Sequence, residues 1–441
     1  MARLLADITP LRRSPEFRRL WWGLGLASIG TQLTATAVGL EVYDITRSTL
    51  SVGIIGAVGL VPTVVFGLYG GALADAHDRR LVALVASVVM WVATLGLVAQ
   101  AVFDLRRVWV LYLLVAIQAG ASSVNGPARS AIIPRLVSLD QLPAANALNM
   151  VTMTLSSLAG PMVGATLVAL IGYPRTYLVD AVAFTFALYA ILRLPPIRPV
   201  AAEEVAPVVV RPWVRAAWAS ARTHTAAVVD GFRFLAGRRN LLMTFLSDMS
   251  AMIFAFPRAT FPAAAAVILG GGTSVAGALA SALAVGSLFA TVLSGPLMRL
   301  RHQGRAVSVS VGAWGFFVAC AGGAYLLGGR TSPSHVLWPA LIAAMVAFAL
   351  AGAADAVSAV FRGTILLAAT PDALRGRLQG VFTVVVAGGP RLGDVFVGAT
   401  SSAVGEGWAL VIGGAICLIA IAALSRWHRG FLAYDSHHPV A

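Results

Sequence analysis

The sequence predicts an all-α membrane protein of twelve transmembrane helices in two pseudo-symmetric six-helix bundles, and three observations carry that prediction. Of its 441 residues 59% are apolar and 11% are charged, against roughly 45–50% and 25% in an average soluble domain. The apolar residues form continuous runs of about 20, the length a helix needs to cross a bilayer, and they lack the alternation of a barrel strand. The charges sit in short clusters between those runs. A mean hydropathy of +0.84 excludes a disordered chain, a collagen-like fibre and a secreted disulfide scaffold. The net charge of +14 forms no continuous basic face. The expected partner is therefore a lipid bilayer with an anionic inner leaflet and not nucleic acid. Cys320 and Cys417 both lie in apolar runs, so neither a disulfide framework nor a metal site is expected.

The predicted spans run over 20–44, 50–74, 81–103, 107–128, 144–172, 176–194, 241–264, 275–298, 306–328, 336–361, 378–403 and 407–426. The first is too long for a signal peptide and lacks a small-residue cleavage site. Every basic residue is Arg, and the distribution of Arg orients the chain. With the N-terminus inside, twenty-five arginines fall on inner segments and five on outer ones, while Arg258 and Arg391 lie within spans. That bias places both termini in the cytoplasm. A polar stretch separates 1–194 from 241–441. It spans 195–240, opens on Pro195-Pro196 and continues into a segment, Trp213 to Arg239, that mixes Trp and Phe with Arg. This segment reads as an amphipathic helix on the inner leaflet. Val163-Gly164-Ala165-Thr166 recurs as Val397-Gly398-Ala399-Thr400, and Gly71-Ala72-Leu73 as Gly295-Pro296-Leu297, each at a matching place in its half. Duplicated halves are a common transporter design.

Two motifs sharpen the reading. The turn after the second span contains Gly71, Leu73, Asp75, Arg79, Arg80 and Leu84. It resembles the signature loop of the major facilitator superfamily, with Ala76 and Asp78 in place of the usual Arg and Gly. The resemblance implies a gating motif in which Asp75 faces the positive N-terminus of the eleventh span near Gly376-Arg377. The alternative is that Arg79 and Arg80 serve only to set topology. The fifth span carries Ser156, Gly160, Pro161, Gly164 and Ala165, which resembles the superfamily's antiporter motif and implies close packing against the eighth span, with a kink at Pro161. Further stretches resemble the subgroup of enterobactin exporters and macrolide efflux proteins. They include Ser14-Pro15-Glu16-Phe17-Arg18, Val42-Tyr43-Asp44-Ile45-Thr46-Arg47-Ser48 and Thr370-Pro371-Asp372-Ala373-Leu374-Arg375-Gly376-Arg377. The Arg that many drug–proton antiporters carry in the fourth span is missing here; Gln118 and Asn125 are its inner polar residues.

Ionisable groups at membrane depth are functional candidates because a charge there is costly. Arg391 and Asp394 share one helix face, at i and i+3. They read either as a switchable proton carrier or as a permanent brace. Asp394 ranks first as proton carrier and Asp248 second, with Asp355 and Glu41 next; Arg258 is expected too far along the seventh span to partner Asp248. Asp355 is expected to line the cavity or to pair with Arg362. Glu41, Asp44 and Asp180 read as interfacial. Arg391, Arg258, Gln32, Gln118, Asn125 and Phe254 are the cavity and substrate candidates, with Phe256, Met153 and Met252 as apolar walls. A phosphate-binding loop, a zinc helix and clustered catalytic carboxylates are all missing from the sequence. The expectation is a monomeric, non-enzymatic secondary exporter in a bacterial cytoplasmic membrane, moving an amphiphilic small molecule, siderophore or drug, by proton antiport and alternating access. It has no cofactor and draws on the proton gradient. An uptake carrier of the same fold, or a non-transporting sensor, is the alternative.

Overall fold

A computed structural model describes residues 7–197, 233, 235, 237–293, 300–369 and 372–435, without the side chains of 68–76, 367, 372–384 and 387. Helices dominate, and the extended pairing among the described residues is a lone bridge between His302 and Asp435. Each predicted run except the seventh is largely helical over its described residues. The helices are α1 (Pro15–Thr46), α2 (Thr49–Ala76), α3 (Arg79–Val102) and α4 (Val108–Ile132). Leu142–Leu192 breaks at Gly172, whose φ of 77° and ψ of 173° suit glycine, into α5 (142–171) and α6 (173–192). Then follow α7 (Arg239–Phe254), α8 (Gly272–Val292), α9 (Gln303–Gly328), α10 (Trp338–Ala368), α11 (Asp372–Val404) and α12 (Glu406–Trp427). Among the described residues, nine helices are long and apolar enough to cross a membrane, and one of them, Leu139–Leu192, has 54 residues. That is more than twice the roughly 20 residues one crossing needs.

The seventh predicted span departs from expectation. It is not one helix over 241–264: α7 ends at Phe254, a 3₁₀ turn covers Arg258–Thr260, and a π-helical turn follows at Ala264–Ile268. Pro257 and Pro262 lack the N–H that a continuous helix needs and disfavour helical backbone in the residue before them. The amphipathic segment expected over Trp213–Arg239 lies almost wholly outside the described residues.

The helices cluster into two compact units. The first comprises 1–37, 58–160 and 171–227; the second comprises 38–57, 161–170 and 228–441. The first unit's core joins Leu20 and Leu24 of α1, Ala83 and Met90 of α3, Ala128 and Ile132 of α4, and Phe184 and Ile191 of α6. In the second, Phe348 of α10 makes edge-to-face contacts with Phe261, at 5.3 Å between centroids, and with Tyr325 of α9, at 6.2 Å. Lipid tails are as apolar as Leu, so membrane helices hold together by close packing across small residues. Gly286 of α8 and Gly352 of α10 do this reciprocally. A Cβ on either would overlap backbone of the other helix, at Ala349 and Leu283 respectively.

Candidate functional site: buried charges in the second unit

The break after α7 places Arg258 on a 3₁₀ turn, not ten positions along one helix from Asp248. From there its guanidinium reaches Asp394 of α11 in an ion pair and hydrogen bond. The pair is lopsided: the Asp394 side chain is 4% exposed and that of Arg258 55%. Asp394 is therefore held from across the unit, and Arg391, its i, i+3 neighbour on α11, acts electrostatically on the same carboxylate. Arg391 sits on the same helix, half-buried. The backbone around Asp394 is tightly enclosed. A Cβ at Gly53 of α2 would overlap the Asp394 carbonyl oxygen, and one at Gly56 would lie 2.6 Å from the Arg391 carbonyl oxygen. Beside the pair, Phe254 meets Phe396 edge to face at 5.3 Å, and the Arg258 guanidinium lies 5.5 Å from the Phe256 ring centroid.

A second charge centre joins α7 to α10. Buried Arg362 pairs with buried Asp248, and its other terminal nitrogen lies 3.4 Å from Asp355. One guanidinium between two carboxylates satisfies several donors at once and brings together two of the predicted carriers. Asp248 and Arg362, with Thr244, Phe245 and Leu366, line a small, shallow cleft.

A third centre stands in the first turn of α12. The buried carboxylate of Glu406 accepts a 2.8 Å hydrogen bond from Thr49 at the start of α2 and lies 3.5 Å from an Arg330 nitrogen. It sits at the N-terminus of its helix, where the macrodipole favours an anion. Sequence reasoning missed Glu406; its place in the first turn of a helix, after Gly405, was the signal available. Glu41 is buried, contrary to the interfacial reading, while Asp44 forms an exposed pair with Arg47 at 3.7 Å.

In the first unit the predicted polar residues meet neutral partners. Gln118 donates to Thr94 at 3.0 Å, and buried Asn125 donates to Ser87 at 2.6 Å and to the Ala83 carbonyl at 3.4 Å. These bonds tie α4 to α3. Gln32 packs against Gly160, where a Cβ would overlap its own. Met153 is exposed and Met252 buried.

The two motifs divide in the same way. The side chains of Gly71, Leu73 and Asp75, and those of Gly376 and Arg377, lie outside the described residues. Arg79 and Arg80 are placed: Arg79 donates to the Ala131 carbonyl at 3.3 Å, and Arg80 to the carbonyls of Ile191 at 3.3 Å and Leu192 at 2.6 Å. They satisfy orphan carbonyls at the C-terminal ends of α4 and α6. Asp78 accepts from the Arg80 amide at 2.9 Å and so caps α3, which gives the unusual Asp of this loop a task. In the other motif, Gly277 of α8 packs on Ala165 and on the Pro161 carbonyl, the α5–α8 approach that small residues permit. Within α5 and α6 the non-helical backbone falls at Gly172 and not at Pro161.

The family profile described as transmembrane secretion effector matches residues 5–433, nearly the whole chain. The chain belongs to the major facilitator superfamily. Among its relatives is the enterobactin exporter EntS of Escherichia coli O1:K1, 28% identical over 438 residues and matched over 96% of each chain. The fold agrees with solved transporters of low identity. The POT family transporter PepTSo aligns with a TM-score of 0.71 at 12% identity, over 96% of this chain and 99% of its own. A bacterial homologue of the iron transporter ferroportin, in an inward-facing state, aligns with a TM-score of 0.68 at 13% identity, over 94% and 98%. This superfamily member is accordingly a multi-pass membrane transporter and not an enzyme.

Proposed function

We propose that this transporter is a secondary active exporter of an amphiphilic small molecule, a siderophore or a drug, working by proton antiport and alternating access in a bacterial cytoplasmic membrane. Twelve crossings, both termini in the cytoplasm, a monomeric state and the proton gradient as energy source, with no cofactor, belong to the same reading. Similarity to an enterobactin exporter along the chain supports the direction, and the Arg bias supports the orientation. The observation that carries the coupling is the lopsided pair: a buried carboxylate held by an Arg whose side chain is half exposed.

Antiport requires that proton and substrate compete for one group. Arg stays protonated, so Asp394 is the group that changes. A substrate presenting a cation or strong hydrogen-bond donor to Asp394 favours the ionised carboxylate and expels the proton. An acidic substrate taken by Arg258 does the reverse: it strips Asp394 of its counter-charge, favours protonation and carries the proton along with it. The pair thus fits exchange of protons for a basic or donor-rich amphiphile. For an acidic one, coupling by exchange has to come from the centre formed by Asp248, Arg362 and Asp355, with Glu41 as the remaining carboxylate.

The test is accumulation of siderophore and drug candidates in a deletion strain, with and without a protonophore, followed by Asp394→Asn and Asp248→Asn in proteoliposomes. Neutralising the carrier abolishes uphill export and leaves substrate exchange measurable. Uphill, protonophore-sensitive export retained in both variants overturns the assignment. Accumulation unchanged by deletion favours a non-transporting sensor, and inward flux favours an uptake carrier.

A further inference from the structure

Asp180 of α6 was expected to be solvated at the membrane interface, but it is 1% exposed, inside the first unit. Its surroundings differ from those of Asp394, Asp248 and Glu406. Thr34 of α1 donates to Oδ2 at 2.5 Å, and the Thr94 hydroxyl of α3 lies 3.5 Å from the same oxygen. Gln118 of α4 donates in turn to Thr94 at 3.0 Å. Oδ1 is buried without a hydrogen-bond partner. It occupies a recess that exists because residue 30 is glycine; a Cβ there would overlap Oδ1. The Trp91 indole, donating to the Ala181 carbonyl at 3.1 Å, pins α3 to α6 beside it.

Among the described residues, the groups in contact with the carboxyl are neutral: Gly30 and Thr34 from α1, Thr94 from α3 and, through Thr94, Gln118 from α4. Among the described residues the side chains that act on Asp180 are those two hydroxyls, with no cation and no second acid. A buried carboxylate without a counter-charge carries a desolvation penalty that one short hydroxyl bond does not offset. A protonated carboxyl avoids that penalty, and its O–H and the Thr34 hydroxyl can exchange donor and acceptor roles across the 2.5 Å contact.

We propose that Asp180, with Thr34, Thr94 and Gln118, forms a proton-binding site in the first unit, occupied in this conformation and separate from the charge pairs of the second. Its use as a further coupling proton rests on the exporter reading; its occupancy does not.

Infrared titration of the purified full-length protein tests occupancy without any substrate. The wild type is expected to show the carbonyl stretch of a protonated carboxyl at neutral pH, lost in Asp180→Asn and kept in Asp394→Asn. If the wild type has no such band, or Asp180→Asn leaves it intact, the proposal fails. Thr34→Val keeps the acid and removes one hydrogen bond, so it should shift the band's frequency; an unshifted band also overturns the site. This variant decides the matter if Asp180→Asn does not assemble. For coupling, the proton-to-substrate ratio read from the reversal potential in proteoliposomes should fall by one in Asp180→Asn. An unchanged ratio removes Asp180 from coupling while the infrared result still decides occupancy. A wild type that transports nothing removes the exporter reading and leaves the infrared result standing.

Discussion

The two units solve the same problem with different chemistry. In the first, buried polar groups pair with neutral partners: Asp180 with Thr34 and Thr94, Asn125 with Ser87, Gln118 with Thr94. In the second, buried carboxylates pair with guanidinium groups: Asp394 with Arg258, Asp248 with Arg362, which also reaches the partly exposed Asp355, and Glu406 with Arg330. The difference sets what each unit tolerates. Losing one partner of a buried ion pair strands a charge, at about 3–5 kcal/mol. Losing one neutral hydrogen bond costs about 0.5–1.5 kcal/mol. The second unit is therefore the brittle one, and it holds the charges that a proton or a charged substrate can rearrange.

The largest effect should come from Arg362. Arg362→Ala leaves Asp248 buried and unpaired, and denaturant unfolding in detergent should show a loss of about 3–5 kcal/mol. Removing the stranded charge as well, in Asp248→Ala/Arg362→Ala, should recover part of that loss. A double variant as damaged as the single one would mean that the site needs the packing of the Arg stem rather than its charge, and the contrast between the units would lose its basis.

The helices were legible in the sequence because about 20 apolar residues between Arg clusters admit few alternatives. Their interruptions were less so. The span drawn over 241–264 breaks after Phe254, and Pro257 and Pro262, both visible in the sequence, were the warning. Partners were the hardest to read. Helical spacing puts Arg391 and Asp394 on one face but carries no information about Arg258, 136 residues away. Position along a helix likewise misjudged Asp180 and Glu41, since nearness to a helix end does not tell whether neighbouring helices cover the side chain. Glu406 was overlooked because an acid at a helix start is read as solvated until a Thr from another helix is found against it.

A middle-sized effect compares two glycines, one beside each unit's key carboxylate. An added Cβ at Gly53 meets the Asp394 backbone, which cannot yield without moving α11; at Gly30 it meets the Asp180 side chain, which can rotate. Overpacking costs about 1–3 kcal/mol. Gly53→Ala should fall at the upper end of that range and Gly30→Ala at the lower, both measured by thermal unfolding. Gly30→Ala should also perturb the infrared band assigned to Asp180. The reverse order of stability would indicate that the first unit is the more rigid.

The smallest effect should be found at Asn125 and Ser87, a neutral pair between α4 and α3. Ser87 freed of its partner can turn its hydroxyl to a carbonyl of its own helix four residues back, as Thr94 already does toward Met90 at 3.2 Å. Asn125 freed of Ser87 keeps its weaker 3.4 Å contact to the Ala83 carbonyl. Each single variant, Asn125→Ala or Ser87→Ala, therefore leaves a group with somewhere to go, unlike Asp248 without Arg362. Double-mutant cycles on hydrogen bonds between membrane helices average about 0.6 kcal/mol and reach roughly 1.7. The cycle on Asn125 and Ser87 should fall in that interval, well under the loss expected for Arg362→Ala. A coupling of about 3 kcal/mol or more would place a neutral pair on the scale of the charged ones. The two units would then differ in which groups they bury but not in how strongly each depends on them.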